Sequence, residues 1–442
     1  MTTLQKADGI RNVMRYLQKF KNALVVIYID DKIINSPLYS SHIKDIALLH
    51  QAGLQVVIIP GARSRIDQVL SAEKIKWEFN KNIRVTTAEA MPLIKMAAFD
   101  VSNIVMTSLA ANNITAIIGN WVRSRAKGVI NGFDYGTAGE IDKLEVNSIK
   151  AVLNNGFIPI FPCIGWNAVG HPYNISSILL AEQVAVNLGA DKLFFMLENG
   201  GLKKSDYKVP EGVAVSSSGE LAALDIHQVD EFIDLNTDTI NRNTSEINLL
   251  SLLRTSQDAC NNGVSRTHIV DGNIDGVLPC EIFSDLGSGT MIYTNNYGKI
   301  RPMVQTDIPT VLGIMRPFIQ EGKLLNRSEK EIEAQMNDFI VYELDGGVHA
   351  CACLHVYSDN QAEIAAVAVD ENFAHMGIGP KLVTNLIERA TKLKCKSIFI
   401  MTTQSADWFE SLGFEPDTVE SLPEERRKIW TKEHNSKVYR LK

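Results

Sequence analysis

Short apolar runs separated by stretches of helical periodicity set the first limit on what this chain can become. Residues 23–29, 54–59, 157–163 and 192–197 are each almost continuous in Val, Ile, Leu and Phe, and each is short for a helix. Strands that are apolar on both faces belong inside a parallel sheet covered by helices. The covering helices are legible between them, at 38–50 (closed by Gly53), 87–111, 147–154, 177–188 and 241–262. Residues 115–121, 267–270 and 291–293 read as further strands, and Pro279 suits the first position of a short helix. The segment 200–240, with Gly200-Gly201, Pro210 and a serine run ending at Gly219, reads as irregular.

After residue 299 the pattern changes. A strand at 300–304 and helices at 307–321 and 329–338 precede two strands, 339–344 and 348–357, which flank Asp345-Gly346-Gly347. Asp-Gly between two such runs is a hairpin signal. Then come a strand at 362–369, a glycine loop, a helix at 380–393, a strand at 397–402, a helix at 405–412 and a last strand at 436–441. This is a separate α+β unit, so the expected division is 1–294 and 295–442, with the linker near Thr294–Gly298.

Composition removes several classes. With 45% hydrophobic and 21% charged residues in 442, the chain is neither disordered nor fibrous. Its 44 basic and 51 acidic residues leave no basic excess for general nucleic-acid binding. No run approaches the roughly 18 apolar residues of a membrane span. The basic N-terminal stretch lacks a signal-peptide core, which together with six cysteines in so long a chain predicts the reducing cytosol. Cys351 and Cys353 are two apart on a strand and therefore share a face, as small buried hydrophobes rather than a metal or redox pair.

The segment 365–380 runs from an apolar strand through Gly377-Ile378-Gly379-Pro380 into a helix with Leu382, Leu386, Ala390 and Leu393 along one face. Free amides and the helix dipole at such a turn suit a diphosphate, and Pro380 fits a first turn that needs no amide partner. Taken alone, the pattern equally fits a loop that needs two permissive residues. The segment resembles the coenzyme A pyrophosphate loop of the GNAT acyltransferases, (Gln/Arg)-x-x-Gly-x-(Gly/Ala), standing here as Ala374-His375-Met376-Gly377-Ile378-Gly379. Ala374 departs from that motif and removes a side-chain contact, and Pro380 removes one amide donor.

The resemblance extends along nearly the whole chain, to the bacterial N-acetylglutamate synthases. It is carried by Ile46–His50, Gly61-Ala-Arg63, Ala190–Leu193, Gly263–His268, Asp285–Ile292, Ala406–Phe409 with Gly413-Phe414, and Ser436–Val438. It implies an α/β architecture, an amino-acid-kinase-like parallel-sheet sandwich followed by a smaller α+β GNAT domain. It further implies transfer of the acetyl group of acetyl-CoA to L-glutamate at the first step of arginine biosynthesis, without metal, in a homo-oligomer with L-arginine as effector. Where amino-acid kinases carry Lys-x-Gly-Gly, this chain has Tyr28-Ile29-Asp30-Asp31, and two carboxylates in a triphosphate's place exclude phosphoryl transfer. Asn174–Ser177 likewise lacks the Asp of the kinases. For arginine the resemblance points to Arg11, Tyr16 and Lys21 and to His268, Glu281, Gly287 and Gly289, with Glu281 meeting the guanidinium and backbone near Gly287 the α-carboxylate.

Acyl transfer to an amine needs a base, an oxyanion donor and a proton for the departing thiolate. Glu363, desolvated at the start of an apolar strand, is the candidate base, and it matches the acidic residue the synthases use. Amides of Ala366 and Val367 are the oxyanion candidates, and Thr402 stands where the synthases place a proton-donating hydroxyl. Val367, Val369 and residues 375–379 are expected to hold coenzyme A, and Ala366, Arg327, Ser436 and Lys437 the acceptor. No Ser/His/Asp or Cys/His arrangement is apparent, so direct attack is expected. Asn326 and His434 replace two arginines of the family, which leaves open succinyl-CoA as donor or a non-catalytic arginine sensor.

Overall fold

Strand Leu24–Ile29 is buried at every residue and pairs in parallel with Gln55–Pro60 on one side and Lys192–Leu197 on the other. In the computed structural model, which describes residues 20–80, 82–210, 213, 215–216, 219–242, 249–283, 288–294, 298–344, 347–371, 373, 377–430 and 436–441, these strands are the centre of an eight-stranded sheet. Ile158–Ile160 and Ala116–Ile118 extend it in parallel at one edge and Arg266–Asp271 at the other, where Thr290–Tyr293 then runs antiparallel. The continuous apolar runs are thus the interior strands, as their two-sided hydrophobicity requires. Helix Ser177–Leu188 starts at its Ser176 cap and ends at Gly189, which adopts φ 71°.

Several expectations change. The segment 200–240 is not irregular throughout, because Ala223–Asp225 joins the sheet edge and Ile226–Arg242 is a helix. Val229, Phe232 and Ile233 give that helix a buried stripe at helical spacing, which the preceding Gly and Ser punctuation conceals. The next helix is accordingly shorter, Leu249–Asn261. Residues 122–174 contain a small four-stranded sheet that the sequence reading leaves out. Pro279 is the third residue, not the first, of helix Val277–Phe283. Helix Met91–Ala110 is, by length and composition, apolar enough to cross a membrane, contrary to expectation. Its Ile94, Ala97, Ala98, Val101, Val105 and Leu109 are buried against the sheet and neighbouring helices.

The chain parts into two compact units between Asn295 and Asn296. The second is a seven-stranded sheet in the order Gly298–Pro302, Phe339–Leu344, Gly347–Val356, Gln361–Val369, Ser397–Thr402, Lys437–Leu441 and Phe414–Asp417. Helix Ile378–Lys392 packs Ile378, Leu382, Val383, Leu386 and Ala390 on one face of it, while Leu393 ends the helix exposed. Strand Phe414–Asp417 and the short helix Glu424–Ile429 have no counterpart in the sequence reading.

Candidate active site

Strands Gln361–Val369 and Ser397–Thr402 are parallel neighbours, yet they pair only from Gln361↔Ser397 to Glu363↔Phe399. Beyond Glu363 they diverge, which opens a crevice lined by backbone groups of the first strand. A bulge accompanies the divergence. Cys351 faces Ala368 and Cys353 faces Ala365, so Ala366 and Val367 together oppose one residue. Ala366 takes φ 52°, a left-handed conformation that costs a non-glycine residue about 1–3 kcal/mol. The oxyanion candidates therefore sit where the backbone is bent out of the regular ladder. Ala366→Val puts a β-branched residue at that φ, and the expected result is unit 2 unfolding at about 1–3 kcal/mol lower stability with reduced kcat/KM, while Ala366→Gly is neutral or stabilising. Urea titration with thiol-release assays checks this, and an unchanged midpoint for Ala366→Val contradicts it.

Glu363 stands at the mouth of the crevice with its carboxylate buried, its side chain 5% exposed. Its environment differs from the expected one. Oε2 accepts the Tyr357 hydroxyl at 2.5 Å and the Arg426 Nε–H at 2.9 Å. Burial and then the charge of Glu363 hold the Tyr357 phenol far above its ordinary pKa, so it stays a donor. Glu363 is an acid aimed by two donors, rather than one isolated among apolar side chains. Arg426 belongs to helix Glu424–Ile429, which Ser358 moors through Glu425, and the turn before it is held by Gln361 donating to the Ser421 carbonyl. Sequence reasoning missed Arg426, since its helix is short and no local pattern ties it to Glu363 63 residues away.

Cys353, His355 and Tyr357 alternate onto the face of Glu363, and His355 is its cross-strand partner. His355 Nδ1 lies 2.9 Å from Asp338 Oδ2, and its Nε2 lies 3.3 Å from Cys353 Sγ and 3.3 and 3.4 Å from the two Arg327 amino nitrogens. A Cys/His/Asp arrangement is therefore present, although none is apparent in the sequence. It is not a nucleophile. Cys353 is fully buried, burial pushes its thiol up to about 12, and Arg327 competes for the imidazole lone pair. The cluster instead fixes Arg327, whose guanidinium also donates to Gln335 at 2.8 Å and lies over the Phe339 ring.

Thr402 ends its strand opposite Lys437, and its hydroxyl accepts the Ser405 amide at 2.9 Å, which leaves its own proton free to donate. Lys437 opens the last strand and is exposed, and Ser436 just before it is half-buried. Gly377, at φ 62°, is the cap of helix Ile378–Lys392, and a Cβ there would meet open space. Gly379 has a different reason to be small, because a Cβ would sit 3.0 Å from the Trp408 ring. Pro380 is in the first turn, where it costs no hydrogen bond. Val369 lies at the strand end against this helix, whereas His375 and Met376 lie outside the described residues.

In the first unit, Asp31 accepts the Ser64 amide at the start of helix Arg63–Ala72. An internal carboxylate thus takes the place an anion would take at that helix end. A Cβ on Gly61 would lie 2.9 Å from the Tyr28 hydroxyl, so the phenol closes the same corner. No described group of His, Cys, Asp and Glu is arranged to hold a metal.

Residues 24–271 match the amino acid kinase family model, and residues 314–414 match the acetyltransferase (GNAT) family model. The chain is 30% identical to an amino-acid acetyltransferase of Salmonella typhimurium, over 98% of this chain and 96% of that one. This chain belongs to the amino-acid acetyltransferase family. An N-acetylglutamate synthase from Neisseria gonorrhoeae complexed with coenzyme A and L-arginine is 26% identical, with TM-score 0.81 over 99% of both chains. The same enzyme complexed with coenzyme A and N-acetyl-glutamate superposes with TM-score 0.61 over 98% of both. The resemblance and fold class expected from the sequence are borne out, and the chain is an acyltransferase.

In the acetyltransferase's first unit, His268 and Glu281 do meet, with Nδ1 and Oε1 2.7 Å apart and both side chains almost fully buried. The other Glu281 oxygen accepts the amides of Ser288 and Gly289, the latter at 2.9 Å. Glu281 is thus engaged by its own fold through both oxygens, with one acceptor site left on Oε1. Burial opposes its ionisation, but the bond to His268, its charge environment and the Ser288 amide together hold it below the usual carboxylate range. Burial brings His268 down to about 4, so a neutral ring donates from Nδ1 and leaves Nε2 as a buried acceptor without a partner. Arg11, Tyr16 and Gly287 lie outside the described residues, and Lys21 is exposed in a turn.

These shifts give opposing pH slopes. His268, lowered from 6.5 to about 4, supports the fold above pH 6.5 and loses that support as pH falls toward 4. Asp30, raised by burial from 3.8 to about 7, does the reverse, supporting the fold at low pH and losing it as pH rises toward 7. Asp30→Asn removes the opposing slope, so urea-unfolding stability of the variant should climb more steeply than wild type between pH 4.5 and 6.5, by about 2–3 kcal/mol. Parallel curves contradict the assignment.

Proposed function

We propose that this acyltransferase moves the acetyl group of acetyl-CoA to the α-amine of L-glutamate, committing it to arginine biosynthesis. The observation that carries the reading is the buried Glu363 carboxylate at the point where two parallel strands separate. Glu363 takes the ammonium proton, and the freed amine attacks the thioester carbonyl in the crevice. Amides at Ala366 and Val367 receive the oxyanion; as it collapses the C–S bond breaks, the Thr402 hydroxyl protonates the departing thiolate, and the proton shed by the nitrogen that attacked restores that hydroxyl. Val367, Val369 and residues 375–379 hold the donor, with the diphosphate at the helix start beyond Gly377. Arg327, Ser436 and Lys437 contact the acceptor. Residues 295–442 are the transferase, and residues 1–294 a regulatory unit that has lost nucleotide chemistry. L-Arginine is the effector, its guanidinium meeting Glu281 and the neighbouring Nε2 of His268, which has no partner of its own. The chain works as a cytoplasmic homo-oligomer.

Free-thiol release tests the reading directly. Acetyl-CoA with L-glutamate should give turnover and succinyl-CoA much less. Release from neither donor overturns an enzymatic role and leaves an arginine sensor, which calorimetry with arginine and with coenzyme A then identifies.

A further inference from the structure

We infer that Arg426 is the receptor for the acceptor's α-carboxylate and makes one bipolar site with Glu363, an inference that rests on the acyltransfer to glutamate proposed above. An α-amino acid carries its ammonium and its carboxylate on a single carbon, so a protein recognises the zwitterion best with an anion and a cation in mutual contact. Glu363 and Arg426 are such a pair, joined through Nε at 2.9 Å. Nε is the inner edge of the guanidinium. Among the described residues nothing accepts from the two outer nitrogens of Arg426, and neither is a buried orphan, so the fork remains open at its outer edge. A planar guanidinium bound to one carboxylate through Nε still offers a second carboxylate a fork of N–H donors. With the ammonium on Glu363, the α-carboxylate of the same molecule falls on that fork.

The rest of the site fits this assignment. Arg327 is on the same face of the sheet, and its interactions with Gln335 and His355 hold it in one place. It is left to receive the side-chain carboxylate. Asn326 and His434 stand in the sequence where relatives are expected to carry guanidiniums, and Arg426 offers one from helix Glu424–Ile429. Arg426 therefore sets specificity for α-amino acids over simple amines, besides holding the base in place.

The test uses the full-length enzyme with acetyl-CoA and three acceptors, L-glutamate, its α-amide and its γ-amide glutamine. Wild type should prefer glutamate to the α-amide by about 30-fold in kcat/KM, the value of one charged bidentate contact. Arg426→Gln should erase that preference and leave the preference for glutamate over glutamine intact, with the KM for acetyl-CoA unchanged. A variant that loses kcat but keeps the full selectivity against the α-amide overturns the inference and restricts Arg426 to orienting Glu363. So does a wild type that uses glutamate and the α-amide equally well. Should Arg426→Gln fail to fold, Arg426→Lys gives the same readout, because one ammonium cannot hold Glu363 and a carboxylate fork together. A wild type that does not acetylate glutamate at all overturns the proposed function instead. Calorimetry with glutamate and the coenzyme A-loaded protein then decides the inference by itself, with about 30-fold weaker binding to Arg426→Gln supporting it and equal binding overturning it.

Discussion

Glu363→Gln lowers kcat by about 10²–10⁴-fold while coenzyme A binding stays within a factor of about three, because the amide keeps the shape of the carboxylate but accepts no proton. The substitution is informative because the surroundings of Glu363 are so well defined. The Tyr357 hydroxyl donates to the amide oxygen as it did to Oε2, so the side chain keeps its place. Arg426 loses its ionic partner but is 15% exposed and reaches water, which limits the loss of stability. The helix start proposed for coenzyme A, at Gly377, does not share these contacts. Stopped-time thiol release and calorimetry with coenzyme A measure the two quantities separately. A variant with wild-type turnover would remove Glu363 from the chemistry, and one that lost coenzyme A binding as well would indicate collapse of the crevice.

The second large effect is expected far from the chemistry. Glu281→Ala should destabilise the first unit by about 3–5 kcal/mol, the cost of breaking a buried, charged hydrogen-bond network. Removing this one carboxylate leaves the His268 Nδ1–H and the amides of Ser288 and Gly289 without an acceptor in a place water does not reach. Lys192, also buried in this region and driven well below its usual pKa by burial, loses a compensating negative charge. Thermal and urea unfolding followed by far-UV circular dichroism report the loss. A midpoint equal to that of wild type would mean that the carboxylate is not the acceptor for those groups. His268→Asn should cost less, because both oxygens of Glu281 would still reach donors.

The interior of the first sheet was legible because burial on both faces leaves a direct mark on composition. The runs at 23–29, 54–59 and 192–197 fall within a residue of the strands Leu24–Ile29, Gln55–Pro60 and Lys192–Leu197. Helix Ser177–Leu188 was equally clear, with the same bounds in the sequence and the structure. Helix Ile226–Arg242 was missed, although Val229, Phe232 and Ile233 carry its buried stripe, because turn-forming residues directly before it outweighed that signal. The small sheet within 122–174 was missed because its strands are short and mixed in polarity, and they exist as strands only through pairing with one another.

Glu363, the glycine turn and the exclusion of kinase chemistry at Asp30-Asp31 could be named from residue type and order alone. These features are local, so the chain itself brings the necessary atoms together. Tertiary structure decided what they touch. It placed Arg426 and Tyr357 on Glu363, locked Arg327 through His355 and Asp338, and turned Glu281 inward to its own loop. Each of these contacts joins side chains from different elements, and no periodicity or spacing along one chain encodes the partner of a buried charge.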